Sequence, residues 1–343
     1  MLYYRVFSFE LINIASIKMQ DIVVTGSIAY DYLMRFPGSF QEHIVSDALE
    51  QVSLSFLVDD MTKHWGGVAA NIAFNMAKLG TSPRLMGTVG RDFPDYRKWL
   101  EDVGVDTSTV QQHDDVFTAS FFCNTDLENN QIASFYSGAM AKAVDYKLAD
   151  MPDNTSPDLV IISPNDPLAM TNLSNECRER GLKFVYDPSQ QIARMDGDTL
   201  KHNMQGAYLM VINQYESNMV MKKTGMSMDD LRNAVDLLVI THGGDGSEIF
   251  NNGDVLKVPS FAPTEIVDPT GAGDAYRAGF VVGLSKGLSL ELCGTMGALC
   301  ATYVLEHNGP QSKNYTTEDY ITRFRENYDD EGALDILLSP ELA

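Results

Sequence analysis

Apolar positions along the chain keep two different rhythms, and the change between them falls near residue 158. Before it, short apolar runs are separated by polar stretches. Residues 21–26 read as a buried first strand ending in Gly-Ser. A polar stretch follows over 34–63, within which 52–58 alternate apolar and polar and predict a strand. Gly66 and Gly67 open a helical pattern over 68–79, closed by Gly80 as a C-cap. A strand is expected at 84–89 and a helix at 95–103. Runs at 117–125 and 131–136 flank a polar turn and, with 52–58, are expected to make a small separate sheet.

After residue 158 the pattern settles into strand then helix. Strands are expected at 159–163, 184–187, 208–212 and 237–241, and helices at 169–179, 196–202, 216–224 and 229–235. Such alternation argues for a mostly parallel sheet with helices on both faces, a three-layer α/β/α architecture. A hairpin follows, 247–250 with 255–258, turned by Asn252-Gly253. The last third is helical, over 272–285, 290–305 and 317–328. Residues 19–330 therefore read as one domain carrying lid strands from 34–63 and 115–137, with 331–343 as a tail. Residues 1–18 lack a signal-peptide cleavage pattern and read as a dispensable extension.

Charge narrows the partners. The chain carries 25 basic against 47 acidic residues, a formal net charge of −22. That balance repels nucleic-acid backbones and anionic membranes, although an anionic small molecule can still bind where a helix N-terminus supplies local positive potential. No apolar run reaches the roughly 18–20 residues of a membrane span. Four scattered cysteines, none in a CxxC pair, fit a reducing cytoplasm, and no His/Cys spacing suggests a protein-held zinc.

Chemistry concentrates in 267–280. A Pro-containing turn leads into Gly271-Ala272-Gly273-Asp274 and then an apolar helix. Small residues allow close backbone approach, and the Gly271, Ala272 and Gly273 amides are first-turn donors. With the helix dipole they form an anion hole able to stabilise a migrating phosphoryl group. A carboxylate at its rim, Asp274, can accept the proton of an attacking hydroxyl.

The segment resembles the D-T-x-G-A-G-D signature of the PfkB, or ribokinase-like, family, with Pro269 in place of the usual Thr. Neither a Walker A loop nor G-x-G-x-x-G occurs. The resemblance extends in family order across 21–310. It includes Gly66-Gly67-Val68-Ala69-Ala70-Asn71, the Gly26-Ser27 opening that leads to Asp31, Asn213-x-x-Glu216, and the Thr241-x-Gly243-x-x-Gly246 loop. It implies a ribokinase-like fold with a small β-sheet lid and transfer from ATP to a primary hydroxyl. Asp274 would be the base. Ser27, Asp31, Gly67 and Asn71 would hold substrate hydroxyls. Thr241, Gly243 and Gly246 would contact the nucleotide. Mg2+ would be positioned indirectly by Asn213 and Glu216, and a role for K+ stays open.

Within the family, 26–38, 52–60, 131–140 and 187–194 look like the bacterial ribokinase-like adenosine kinases. That likeness implies adenosine as acceptor, a purine-salvage activity. Phe121 and Phe135 would offer flat apolar faces to the base, and Gln190, Gln191 and Arg194 would reach or close the pocket. The residues leave alternatives open: a ribokinase, a fructokinase, another nucleoside kinase, or a non-catalytic nucleoside-binding protein. The lid implies a homodimer.

Overall fold

The computed structural model describes residues 18–43, 54–152 and 156–338. In chain order it begins with β1 (Ile22–Thr25), β2 (Ala29–Arg35), α1 (Phe40–His43), β3 (Asp60–Gly66), α2 (Val68–Lys78), β4 (Arg84–Gly90) and α3 (Pro94–Glu101). Then come β5 (Val110–His113), β6 (Ala119–Thr125), β7 (Gln131–Tyr136), β8 (Leu159–Ile162), α4 (Pro167–Arg180), β9 (Phe184–Tyr186) and α5 (Gly197–Met204). The chain continues through β10 (Ala207–Asn213), α6 (Gln214–Thr224), α7 (Met228–Asn233), β11 (Val235–Thr241), β12 (Ser247–Asn251) and β13 (Asp254–Val258). It ends in α8 (Ala272–Ser285), α9 (Leu290–Leu305) and α10 (Thr317–Arg325).

Nine strands form the large sheet in the order β13-β12-β11-β10-β9-β8-β1-β4-β5. It is parallel from β11 to β5, and β12 and β13 add an antiparallel edge. Its central strands are apolar on both faces, as a sheet covered by helices on each side requires. In β8, Leu159 and Ile161 join one core and Val160 and Ile162 the other.

α8 and α9 pack at close range. A Cβ on Gly279 would stand 2.6 Å from the Met296 carbonyl oxygen, and one on Gly297 2.8 Å from that of Tyr276. α8 is buried from Asp274 to Ser285, so the helix carrying the Gly-Ala-Gly turn is fixed along its length. Truncating its buried Phe280 to Ala would cost about 3–5 kcal/mol.

The second sheet is the lid, ordered β3-β2-β6-β7. Its strand β3 is displaced from the one expected at 52–58. Residues 54–58 run as irregular chain, while Val52 and Ser53 lie outside the described residues. The lid strand is Asp60–Gly66, and β2, which pairs with it, starts at Ala29. β3 is largely polar and exposed, so no apolar alternation announced it. β5, a four-residue polar strand, also went unread.

The extension reading at 1–18 falls almost wholly outside the described residues, as does 339–343 of the tail. The start of that tail packs on the core through Leu334 and Leu337. No helix among the described residues is long and apolar enough to cross a membrane.

Candidate active site

Two glycine turns bring the site together. Gly67, at φ 92°, begins α2 and presses on the backbone of Ser27 to Ala29, where a Cβ would lie 2.5 Å from the Ser27 carbonyl oxygen. Ser27 completes that junction, its Oγ accepting from the Val68 N–H at 3.0 Å. Ser27 thus helps hold the start of α2. Gly271 begins α8 at φ 81°, with Pro310 where a Cβ would point. Only glycine adopts this turn without strain.

A cavity of about 260 Å³ opens at the start of α8. Of the residues singled out from sequence, it is lined by Gln190, Asn213, Glu216, Thr241, Gly271, Gly273 and Asp274, joined by Arg277. Asn213 and Glu216 cap α6 reciprocally: the Glu216 N–H donates to Asn213 Oδ1 at 2.8 Å, and the Asn213 N–H to Glu216 Oε2 at 2.9 Å. Among the described residues no hydrogen bond engages the Gly271 or Gly273 N–H. The Ala272 N–H turns back to the Pro269 carbonyl at 3.3 Å. The hole expected from three amides therefore has two open donors, because the tight turn uses the third.

Asp274 is 9% exposed. Its Oδ2 accepts from Asn71 Nδ2 at 2.9 Å, and Arg277 Nη1 lies 3.6 Å from Oδ1. Burial pushes its carboxyl up to about 6, against the pull of Arg277 and of the Asn71 hydrogen bond. Asn71 is held in turn: its Oδ1 accepts from Gln311 Nε2 at 2.9 Å, and Gln311 Oε1 accepts from Trp99 Nε1 at 3.0 Å. Asn71 is thus held in place by Asp274 and Gln311.

The lid gathers a second group of the residues singled out from sequence. Strand pairing sets Asp31 opposite His64 and beside Phe121, and Phe121 opposite Phe135, so all four share one face. Burial, then Asp268 and Asp274, push the Asp31 carboxyl up to about 6. His64 reaches the Gly309 turn: a Cβ on Gly309 would stand 2.6 Å from its Nδ1.

Not every expected residue joins the cavity. Gln191 is buried, with its Oε1 unpartnered, and Arg194 is exposed; neither lines it. Gly243 and Gly246 shape the turn after β11 without lining it. Gln311, Trp99 and His64 carried no sequence signal of their own, since their partners are far along the chain, and for Arg277 the same holds of Asp187 and Glu216. The described residues hold no group of three His, Cys, Asp or Glu able to bind a metal by themselves. The oxygen donors of Asn213 and Glu216 are of the hard type Mg2+ takes when phosphates supply its remaining ligands.

A ribokinase-type sheet and lid, with an enclosed carboxylate at a glycine-turned helix start, define a class, and the chain matches the pfkB family carbohydrate kinases over residues 19–317. It belongs to that family. A nucleoside kinase of Methanocaldococcus jannaschii is 30% identical over 313 residues, covering 90% of this chain and 98% of that one. The Burkholderia thailandensis nucleoside kinase in complex with inosine superposes with a TM-score of 0.79 at 33% identity, covering 90% of this chain and 98% of that one. The same enzyme in complex with ADP-inosine gives a TM-score of 0.77, at 33% identity and coverages of 90% and 96%.

Proposed function

We propose that this protein is a nucleoside kinase that transfers the γ-phosphoryl group of ATP to a nucleoside 5′-hydroxyl, with adenosine as its preferred acceptor. The observation that carries this is the enclosed Asp274 carboxylate beside the open Gly271 and Gly273 amides. The relatives' likeness supports a nucleoside, since the Burkholderia enzyme holds inosine and ADP-inosine. Phe121 and Phe135 on the lid face that carries Asp31 support it further, because a flat base needs apolar faces.

In this reading Asp31 accepts hydrogen bonds from the ribose hydroxyls, leaving the 5′-oxygen towards Asp274. Asp274 accepts that hydroxyl's proton as the oxygen attacks the γ-phosphorus and ADP leaves. The two open amides and the α8 dipole stabilise the charge on the transferring group. Mg2+, carried in with the phosphates and held through Asn213 and Glu216, would neutralise their oxygens. Thr241 lines the nucleotide side. The enzyme is a homodimer in this reading, supported by the exposed lid residues Met61, Phe122 and Ile132, which share the face opposite Asp31. Its place is the reducing cytoplasm, where four unpaired buried cysteines persist.

An ADP-coupled assay across adenosine, inosine, guanosine, cytidine, ribose and fructose tests the acceptor. Adenosine should give the highest kcat/KM; a sugar turned over faster than every nucleoside would overturn the reading. Light scattering that finds only monomer at micromolar concentration would remove the dimer.

A further inference from the structure

Arg277 sits one helical turn beyond Asp274 and is 6% exposed. Its Nη2 lies 2.8 Å from Asp187 Oδ1 and 3.9 Å from Glu216 Oε2, and it donates to the Val211 carbonyl at 3.3 Å. Its Nη1 lies 3.6 Å from Asp274 Oδ1, and a Cβ on Gly273 would stand 3.0 Å from that nitrogen. Asp187 is 0% exposed. Its approach to Arg277 is close without hydrogen-bond alignment, so the attraction is chiefly charge on charge. One guanidinium therefore serves three carboxylates, of which Glu216 and Asp274 line the phosphate-side cavity with it and Asp187 lies behind the wall.

That arrangement answers a difficulty in using Asp274 as a base. A carboxyl taken out of water favours its protonated form, and a protonated carboxyl cannot accept a second proton from a hydroxyl. The groups around Asp274 are Arg277 on its own helix, Glu216 on α6, Asp187 after β9 and Asp31 on the lid, with uncharged Asn71 from α2. Arg277 is the one cation in that set. Asp187 and the Val211 carbonyl engage Nη2, which leaves Nη1 directed at the base.

We propose that Arg277 is a positioning residue for Asp274: anchored by Asp187, it fixes the base and keeps it in the proton-accepting form. This rests on the reading of Asp274 as the base. The role belongs to the resting protein, before any nucleotide enters.

The test is kcat/KM against pH for the wild type, Arg277→Gln and Arg277→Lys, with ATP and the best acceptor found. In Arg277→Gln the acidic limb should move up by about one to two pH units, the range for a carboxylate losing an adjacent arginine. Its loss should be about 5- to 50-fold at pH 6 and all but vanish by pH 9. Arg277→Lys should keep the limb within about half a unit of wild type, because it restores the charge. A purely structural role predicts the same fractional loss at every pH, and that result, or an unmoved limb, overturns the proposal. Asp274→Asn separates the two layers: wild-type-like turnover there removes the base assignment itself, whereas an inactive Asp274→Asn with an unmoved Arg277→Gln limb removes only the role of Arg277. If Arg277→Gln does not fold by circular dichroism, Asp187→Asn/Arg277→Gln removes cation and anchor together, a change buried pairs tolerate better. The same upward shift is expected of it, and an unmoved limb is equally decisive.

Discussion

The two ends of the candidate site are made of unlike material. The phosphate end stands on α8, buried over twelve successive residues, with its charges locked to one another through Asp187, Glu216, Arg277 and Asn71. The acceptor end stands on a four-stranded sheet whose outer strand β7 is exposed at every position, and Phe135 there is 53% exposed. Reaction chemistry needs groups already oriented and shielded from water, since fixed dipoles act strongly only where solvent cannot rearrange. Recognition needs a surface that admits the acceptor and is covered by it. Substitutions at the first end should therefore strike turnover, and those at the second should strike apparent affinity.

The largest effect tests the first half of that contrast. Asp274→Ala should lower kcat by about 10³-fold while nucleoside binding by calorimetry stays within about twofold; a comparable loss of affinity would mean the base also holds the acceptor. Gly271→Ala is next. It places a Cβ 2.3 Å from that of Pro310 in a left-handed backbone, so the turn shifts and its open amide moves. About a 10²-fold loss in kcat is expected, with a lower Tm in differential scanning fluorimetry.

At the lid end, Asp31→Ala should raise the nucleoside KM by about 10- to 100-fold, the loss of two charge-assisted hydrogen bonds, with a smaller change in kcat. The pH profile joins the ends. Asp274 and Asp31 are both pushed up to about 6, and both act ionised, so kcat/KM should fall as pH drops through 6. Two groups titrating there give a limb steeper than one; a limb at the ordinary carboxylate range would show that both carboxyls ionise normally in the free protein. The smallest effect is Phe135→Ala, about a 2- to 10-fold rise in nucleoside KM, with no change for a free sugar. Equal effects on both would place Phe135 in the lid's own packing.

Legibility in the sequence follows the same divide. The α8 and α9 boundaries, 272–285 and 290–305, were readable because Gly271 and Ser289 mark starts and the runs behind them are apolar. The glycine-rich turn with its aspartate was readable because its partners are neighbours in sequence. The lid was read at β6 and β7 and misread at 52–58, since β3 carries polar side chains on an exposed sheet. The support of the base was not readable at all: Gln311 meets Asn71 across 240 residues, and Arg277 meets Asp187 across 90, from 277 to 187. Only the fold makes such groups neighbours.

The lid's attachment has a consequence for diversification. β2 leaves directly after β1, β3 returns directly into α2, and β6–β7 form a second excursion that leaves and re-enters beside them. Both insertions hang from the rim of a framework that keeps its own hydrogen bonds. Lengthening, shortening or grafting their tips can therefore reassign the acceptor while the phosphoryl-handling frame is inherited intact.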